Sequence, residues 1–220
     1  MCLSLVAVSA ATGALLADSG DRSYSTLDLS TDGPYKDSGM YVGFGAGGNF
    51  MQDTRSKGLP GFGPAGTAVA FNHGVRLDGT VGYRFDSSWA VEVEGGFAGN
   101  QISSIGGVKP LTDIFLYQYP VLANVVYRYP LGEHWRVWAG VGAGAVWSTL
   151  DFNGIVDDTD LQYAYQAKAG VGYAVGKTIE FSICYKFLGT GDHSWNIVGD
   201  PGNTEGNMSH SVMAAITLKF

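Results

Sequence analysis

The stretch 74–97, GVRLDGTVGYRFDSSWAVEVEGGF, decides the fold. Val75, Leu77, Gly79, Val81, Tyr83 and Phe85 occupy every second position, with Arg76, Asp78, Thr80, Gly82 and Arg84 between them. A period of two puts the two sets on opposite faces of one extended strand. Asp86-Ser87-Ser88 reads as a tight turn, since Asp and Ser bond readily to nearby backbone. The alternation then resumes: Trp89, Val91, Val93, Gly95 and Phe97 oppose Ala90, Glu92, Glu94, Gly96 and Ala98. The stretch predicts an antiparallel hairpin with one apolar face and one face that carries charge.

The same rule runs outward through the chain. In 115–129, Phe115, Tyr117, Tyr119, Val121, Ala123, Val125, Tyr127 and Tyr129 oppose Asn124 and Arg128. In 135–148, Trp135, Val137, Ala139, Val141, Ala143, Ala145 and Trp147 oppose Arg136 and three glycines. Tyr163, Tyr165, Ala167, Ala169, Val171 and Tyr173 oppose Gln162, Gln166 and Lys168, and Ile179, Phe181, Ile183, Tyr185 and Phe187 oppose Glu180, Ser182, Cys184 and Lys186. The last segment, about 209–220, sets Val212, Ala214, Ile216, Leu218 and Phe220 against Ser211, Thr217 and Lys219. The first, about 39–51, sets Val42, Phe44, Ala46 and Phe50 against Gly43, Gly45, Gly47 and Asn49.

Alternation alone also describes a soluble sheet or a lipocalin-type barrel, whose apolar face turns inward. Strand length and the content of the polar face favour the membrane reading. The segments run well past the roughly 5–6 residues usual for soluble strands, and a tilted membrane strand needs about 9–11. The polar faces collect the expected lumen-facing charges Arg76, Asp78, Arg84, Glu92, Glu94, Arg128, Arg136, Lys168, Glu180, Lys186 and Lys219. Aromatics mark both strand ends. Trp89, Trp135, Tyr127 and Tyr129 lie near the short turns, and Phe97, Trp147, Tyr163 and Tyr165 at the far ends. Two such bands suit two membrane–water interfaces.

Connections supply a separate check. Those at 86–88, 130–134 and 176–177 are short, whereas those at about 52–73, 99–113, 150–161 and 189–208 are long. Short and long alternate, so all the long ones emerge at one end. The expected fold is all-β: a closed antiparallel up-and-down transmembrane barrel of about eight strands, spanning 39–220.

Composition agrees. Of 220 residues 33 are Gly, aromatics make up 13%, and charged residues only 15%, against about 25% in soluble domains. A net charge of -7 argues against nucleic acid, which selects basic surfaces. Cys2 and Cys184 are the two cysteines and the four histidines are scattered, so no zinc spacing, metal site or cofactor is expected. Residues 1–17 include CLSLVAVSAATGALLA and read as a signal peptide lacking a basic start, with cleavage after Ala17; 18–38 read as a flexible periplasmic lead-in.

With YVGFGAGGNF at 41–50, VGYRF at 81–85 and HSVMAAITLKF at 210–220, the chain resembles the OmpA/OmpX-type small outer-membrane barrels, also called porin-family or outer-membrane β-barrel domain proteins. The resemblance implies a Gram-negative-type outer membrane, with long loops extracellular and both termini periplasmic. It also implies insertion by the barrel-assembly machinery, which would read Phe220, Leu218 and Ile216 as its signal. Lipid and lipopolysaccharide are the implied surroundings, and a monomer the implied state. Such folds host many jobs.

Three functions compete. About eight strands leave a lumen that side chains can fill, so the inward charges suit a salt-bridge network in an envelope-structural or surface-interaction protein. The alternative is a narrow pore for small polar solutes or anions, given the excess of basic over acidic inward positions. A lipid-modifying enzyme would need His and Ser together; His193-Ser194 beside Asp192, in an expected loop, and Ser209-His210-Ser211 are the candidates. Neighbours on a strand point to opposite faces, which argues against both. No catalytic residue is therefore assigned. The acidic long loops, with Asp113, Asp151, Asp157, Asp158, Asp160, Asp192, Asp200 and Glu205, read as solvated surface or as a cation-bridged contact with lipopolysaccharide.

Overall fold

The computed structural model describes residues 38–58, 63–86, 88–152, 157–197 and 200–220. The expected signal peptide and all but Ser38 of the lead-in lie outside these residues. Twelve strands are defined: β1 Gly39–Met51, β2 Thr54–Arg55, β3 Ala68–Phe71, β4 Gly74–Arg84, β5 Trp89–Ile105, β6 Ile114–Leu131, β7 Trp135–Phe152, β8 Asp157–Val175, β9 Ile179–Thr190, β10 His193–Ile197, β11 Asp200–Thr204 and β12 Met208–Lys219. Eight of them close a ring in the order β1-β4-β5-β6-β7-β8-β9-β12, each pair antiparallel. The chain is an all-β, closed, eight-stranded barrel. Closure removes the free sheet edges that a bilayer would not tolerate.

Alternation maps directly onto the wall. Val75, Leu77, Val81, Val91, Val93, Val121, Val125, Val141 and Ile183 are exposed on the outside. Their strand neighbours Arg76, Asp78, Glu92, Glu94, Asn124 and Cys184 are buried within. The short connections hold as tight turns. At the β4–β5 turn, Asp86 Oδ1 accepts from the Ser88 and Trp89 amides at 2.7 Å each. These two donors hold the Asp86 carboxyl below the ordinary carboxylate range.

Two expected loops are corrected. Residues 99–105 continue β5, and 150–152 and 157–161 extend β7 and β8. Gly, Asn, Asp and Ser there resemble loop composition, but cross-strand pairing from Leu150↔Asp158 to Trp147↔Leu161 overrides it. The remaining long connections also contain structure. β2 and β3 pair with each other and β3 continues onto β5, while β10 and β11 form a separate hairpin.

That end of the barrel has its own apolar core. Met51, Val69, Ile102, Ile114, Leu116, Leu150 and Trp195 cluster in the mouth, with Phe71, Ile105 and Phe152 against them. Here the inward face is apolar, the reverse of the strands' middle.

Candidate functional site: the charged lumen

All eleven charged residues expected in the lumen are buried, none more than 9% exposed. Most are joined in a single network. Arg76 Nη2 donates to Glu94 Oε1 at 3.0 Å and to Gln166 Oε1 at 2.8 Å, and its Nε lies 3.4 Å from Asp78 Oδ2. Glu94 also takes Lys168 Nζ at 3.1 Å and Lys186 Nζ at 3.0 Å. Lys186 pairs with Asp78, and Lys168 pairs with Glu92. Tyr41 Oη donates to Glu92 Oε1 at 2.6 Å, which ties β1 into the set. Gln166 Nε2 donates to Asn124 Oδ1 at 3.1 Å, adding β6.

Smaller polar groups sit toward the mouth. Asn49 Nδ2 donates to Asn100 Oδ1 at 2.6 Å, Ser211 Oγ to Asn49 Oδ1 at 2.7 Å, and Ser148 Oγ to Gln162 Oε1 at 3.0 Å. Toward the other end, Arg128 pairs with Glu180. Lys219 lies within the electrostatic reach of Arg84, Arg128, Arg136 and Glu180, and Arg136 Nη1 donates to the His134 carbonyl at 3.1 Å. Buried ions are tolerated only when paired and hydrogen-bonded in this manner.

Sequence reasoning missed several lumen fillers. Tyr41, Leu122 and Met213 are buried inward although apolar in character. Trp138 is half-buried, with Lys168 Nζ 6.0 Å from its ring centre. Strand parity was the available signal: Tyr41 shares it with Gly43 and Asn49, and Met213 with Ser211 and Lys219. What remains open is a cavity of about 60 Å³ lined in part by Gly43, Gly45, Thr80, Ser182 and Cys184. Ligand pockets run to roughly 300–1,000 Å³, so this space suits water rather than a solute.

The expected interfacial aromatics point outward. Trp89, Trp135, Tyr127, Tyr129, Trp147, Tyr163 and Tyr165 are exposed, and Phe97 is half-buried against Tyr117 and Tyr119. Edge-on pairs such as Trp89–Tyr127 and Trp135–Tyr173, each 5.0 Å between centres, link neighbouring strands. Phe220 is exposed, its amide donating to the Met40 carbonyl at 3.0 Å, and Ile216 and Leu218 are half-buried on β12 beside β1.

The His and Ser candidates are separated. His193 is not in a loop but on β10, buried, while Ser194 is exposed with its amide on Asp160 Oδ2 at 2.6 Å. His210 engages Tyr185 Oη at 2.5 Å and Gln52 Nε2 at 2.7 Å, and Ser211 Oγ serves Asn49. Among the described residues, no group of three His, Cys, Asp or Glu is arranged for a metal ion. Loop acids are spent locally. Lys57 Nζ meets Asp192 Oδ2 at 2.6 Å, Gln101 Nε2 donates to Asp113 Oδ1 at 2.8 Å, and the Gly206 amide donates to Asp192 Oδ1 at 3.1 Å. The Lys57 contact holds the Asp192 carboxyl below its ordinary range.

An apolar exterior, two sets of outward aromatics and a charge-filled interior define a small membrane barrel. The sequence matches the outer membrane protein beta-barrel domain family over residues 1–215, and the chain belongs to that family. This places it in the bacterial outer membrane.

Solved structures agree on the fold. Neisserial surface protein A matches with a TM-score of 0.58 at 18% identity, covering 84% of this chain and 99% of that one. OprG from Pseudomonas aeruginosa matches with a TM-score of 0.58 at 16% identity, covering 84% and 98%. The outer membrane protein AlkL matches with a TM-score of 0.54 at 15% identity, covering 94% and 98%. Comparison with curated proteins finds no match.

Proposed function

We propose that this outer-membrane barrel serves an envelope-structural and surface-interaction role, with a lumen that is filled rather than conducting. The observation that carries the reading is Glu94. It holds Arg76, Lys168 and Lys186 at the centre of the lumen, and so joins β4, β5, β8 and β9 across the barrel. In this reading the protein is a monomer with its long connections extracellular and both termini periplasmic. Lipid and lipopolysaccharide cover the apolar face, and the outward aromatics sit at the two interfaces. Phe220, Leu218 and Ile216 engage the barrel-assembly machinery during insertion.

Purified protein in planar bilayers tests this directly. The expected record is flat, with no discrete conductance steps. A second reading, a narrow path for anions, is favoured by the grouping of Arg84, Arg128 and Arg136 near Lys219, with Glu180 as the acid among them. Anion-selective steps that reverse selectivity in Arg136→Glu would establish it and overturn the first.

A further inference from the structure

We propose that the β10–β11 hairpin is a pH-sensitive cap over the long-loop mouth of the barrel, latched shut by neutral His193. The hairpin is anchored by Trp195, which is 3% exposed within the apolar mouth cluster and donates from Nε1 to Thr204 Oγ1 at 3.1 Å. His193 lies directly on that anchor. The two rings are stacked at 5.2 Å with an interplanar angle of 8°, so displacing one displaces the other.

The chemistry around the imidazole suits the neutral form. His193 is fully buried, with Nε2 2.9 Å from Asn207 Nδ2 and 3.4 Å from Thr190 Oγ1. Its Nδ1 is buried with no hydrogen-bond partner among the described residues. A neutral ring accepts at Nε2 and carries one proton at Nδ1. An imidazolium must place two N–H donors and a full charge in the same enclosed space.

Two acids act on the ring against its burial. Asp160 on β8 and Asp192 before β10 attract the proton. Each is already engaged, Asp160 by the Ser194 amide, and Asp192 by Lys57 and the Gly206 amide. Lys57 is exposed, with Glu205 as well as Asp192 in its field. Burial outweighs the two acids and pushes the His193 imidazole down from 6.5 to about 4.

The sign follows from linkage. The docked hairpin binds fewer protons than the released one, so docking is strongest above about pH 6.5 and weakens as pH falls toward about 4. At pH 5 the docking equilibrium is lower by roughly twenty-fold than at pH 7. Acid therefore loosens the cap and exposes Trp195, while the ion-paired lumen below keeps its own contacts.

Hydrogen exchange on the full chain in lipid vesicles, normalised to intrinsic rates, tests this. The expected result is that β10–β11 amide protection falls roughly thirty-fold from pH 7.5 to pH 5, with β6–β7 protection unchanged. In His193→Gln, which cannot take up a proton, the fall disappears. Equal protection at both pH values, or the same fall in His193→Gln, overturns the proposal. If His193→Gln leaves the hairpin unprotected even at pH 7.5, imidazole titration of the wild type by NMR decides. A depressed His193 upholds the latch, and one titrating at its ordinary value with the hairpin docked overturns it.

Discussion

Lys168 on β8 and Glu94 on β5 meet inside the barrel at 3.1 Å, with side chains 4% and 0% exposed. Neither charge could remain in that space alone, because the desolvation of each is offset only by the other and by their shared neighbours. Pairing of this kind makes the wall and the lumen interdependent. The strands hold the ions in register, and the ions cross-brace strands that are not adjacent.

Glu94→Gln removes one charge and leaves Arg76, Lys168 and Lys186 short of a counterion. The expected cost is about 3–5 kcal/mol of unfolding free energy, as for breaking a buried pair. Equilibrium urea unfolding in lipid vesicles, followed by tryptophan fluorescence, reads it.

Val93 is 59% exposed, facing outward between Val81 and Ala123 on the neighbouring strands. Val93→Arg is expected to cost about 2–4 kcal/mol, the range for a cation at the bilayer midplane. Val108→Arg, in the β5–β6 connection, is expected to be near neutral. Equal effects in the same urea assay would mean that the apolar face does not meet lipid.

Gly144 lies on β7, and a Cβ there would lie 2.1 Å from the Val121 carbonyl oxygen on β6. That contact is backbone and cannot rotate away. Gly144→Ala is expected to cost about 1–3 kcal/mol, as overpacking does, and to lower the temperature at which the folded band disappears on an unheated gel.

Asp86 contributes through its two turn amides. Its carboxyl is held below the ordinary value of 3.8, so its contribution is present at neutral pH and is lost as pH falls through the depressed value. Hydrogen exchange at the Trp89 amide is expected to be slow at pH 7 in the wild type and faster in Asp86→Ala.

Much of this was legible in the chain. The alternation of Val75 to Phe85 with Arg76 to Arg84 gave faces, strand order and short turns, because a period of two is a local property. Which face points inward is not local; it depends on closure and on the surroundings. The loops were harder to read. Asn100, Ser104 and Asp151 have turn-like chemistry, yet they lie in β5 and β7, where partners across the ladder hold them extended. The hairpin bearing His193 and Trp195 was hidden for a similar reason. Its five-residue strands pair with each other, with one bridge from Thr204 to Ser56, and Trp195 enters a cluster assembled from five other strands.

The most direct test of a sealed, inward polar face uses Cys184, which is buried and lines the lumen cavity. A Cys2→Ser protein in vesicles would be treated with a charged, membrane-impermeant maleimide, with and without urea. Cys184 is expected to stay unlabelled in the folded barrel and to label fully once unfolded. Labelling of the folded protein at the unfolded rate would contradict this.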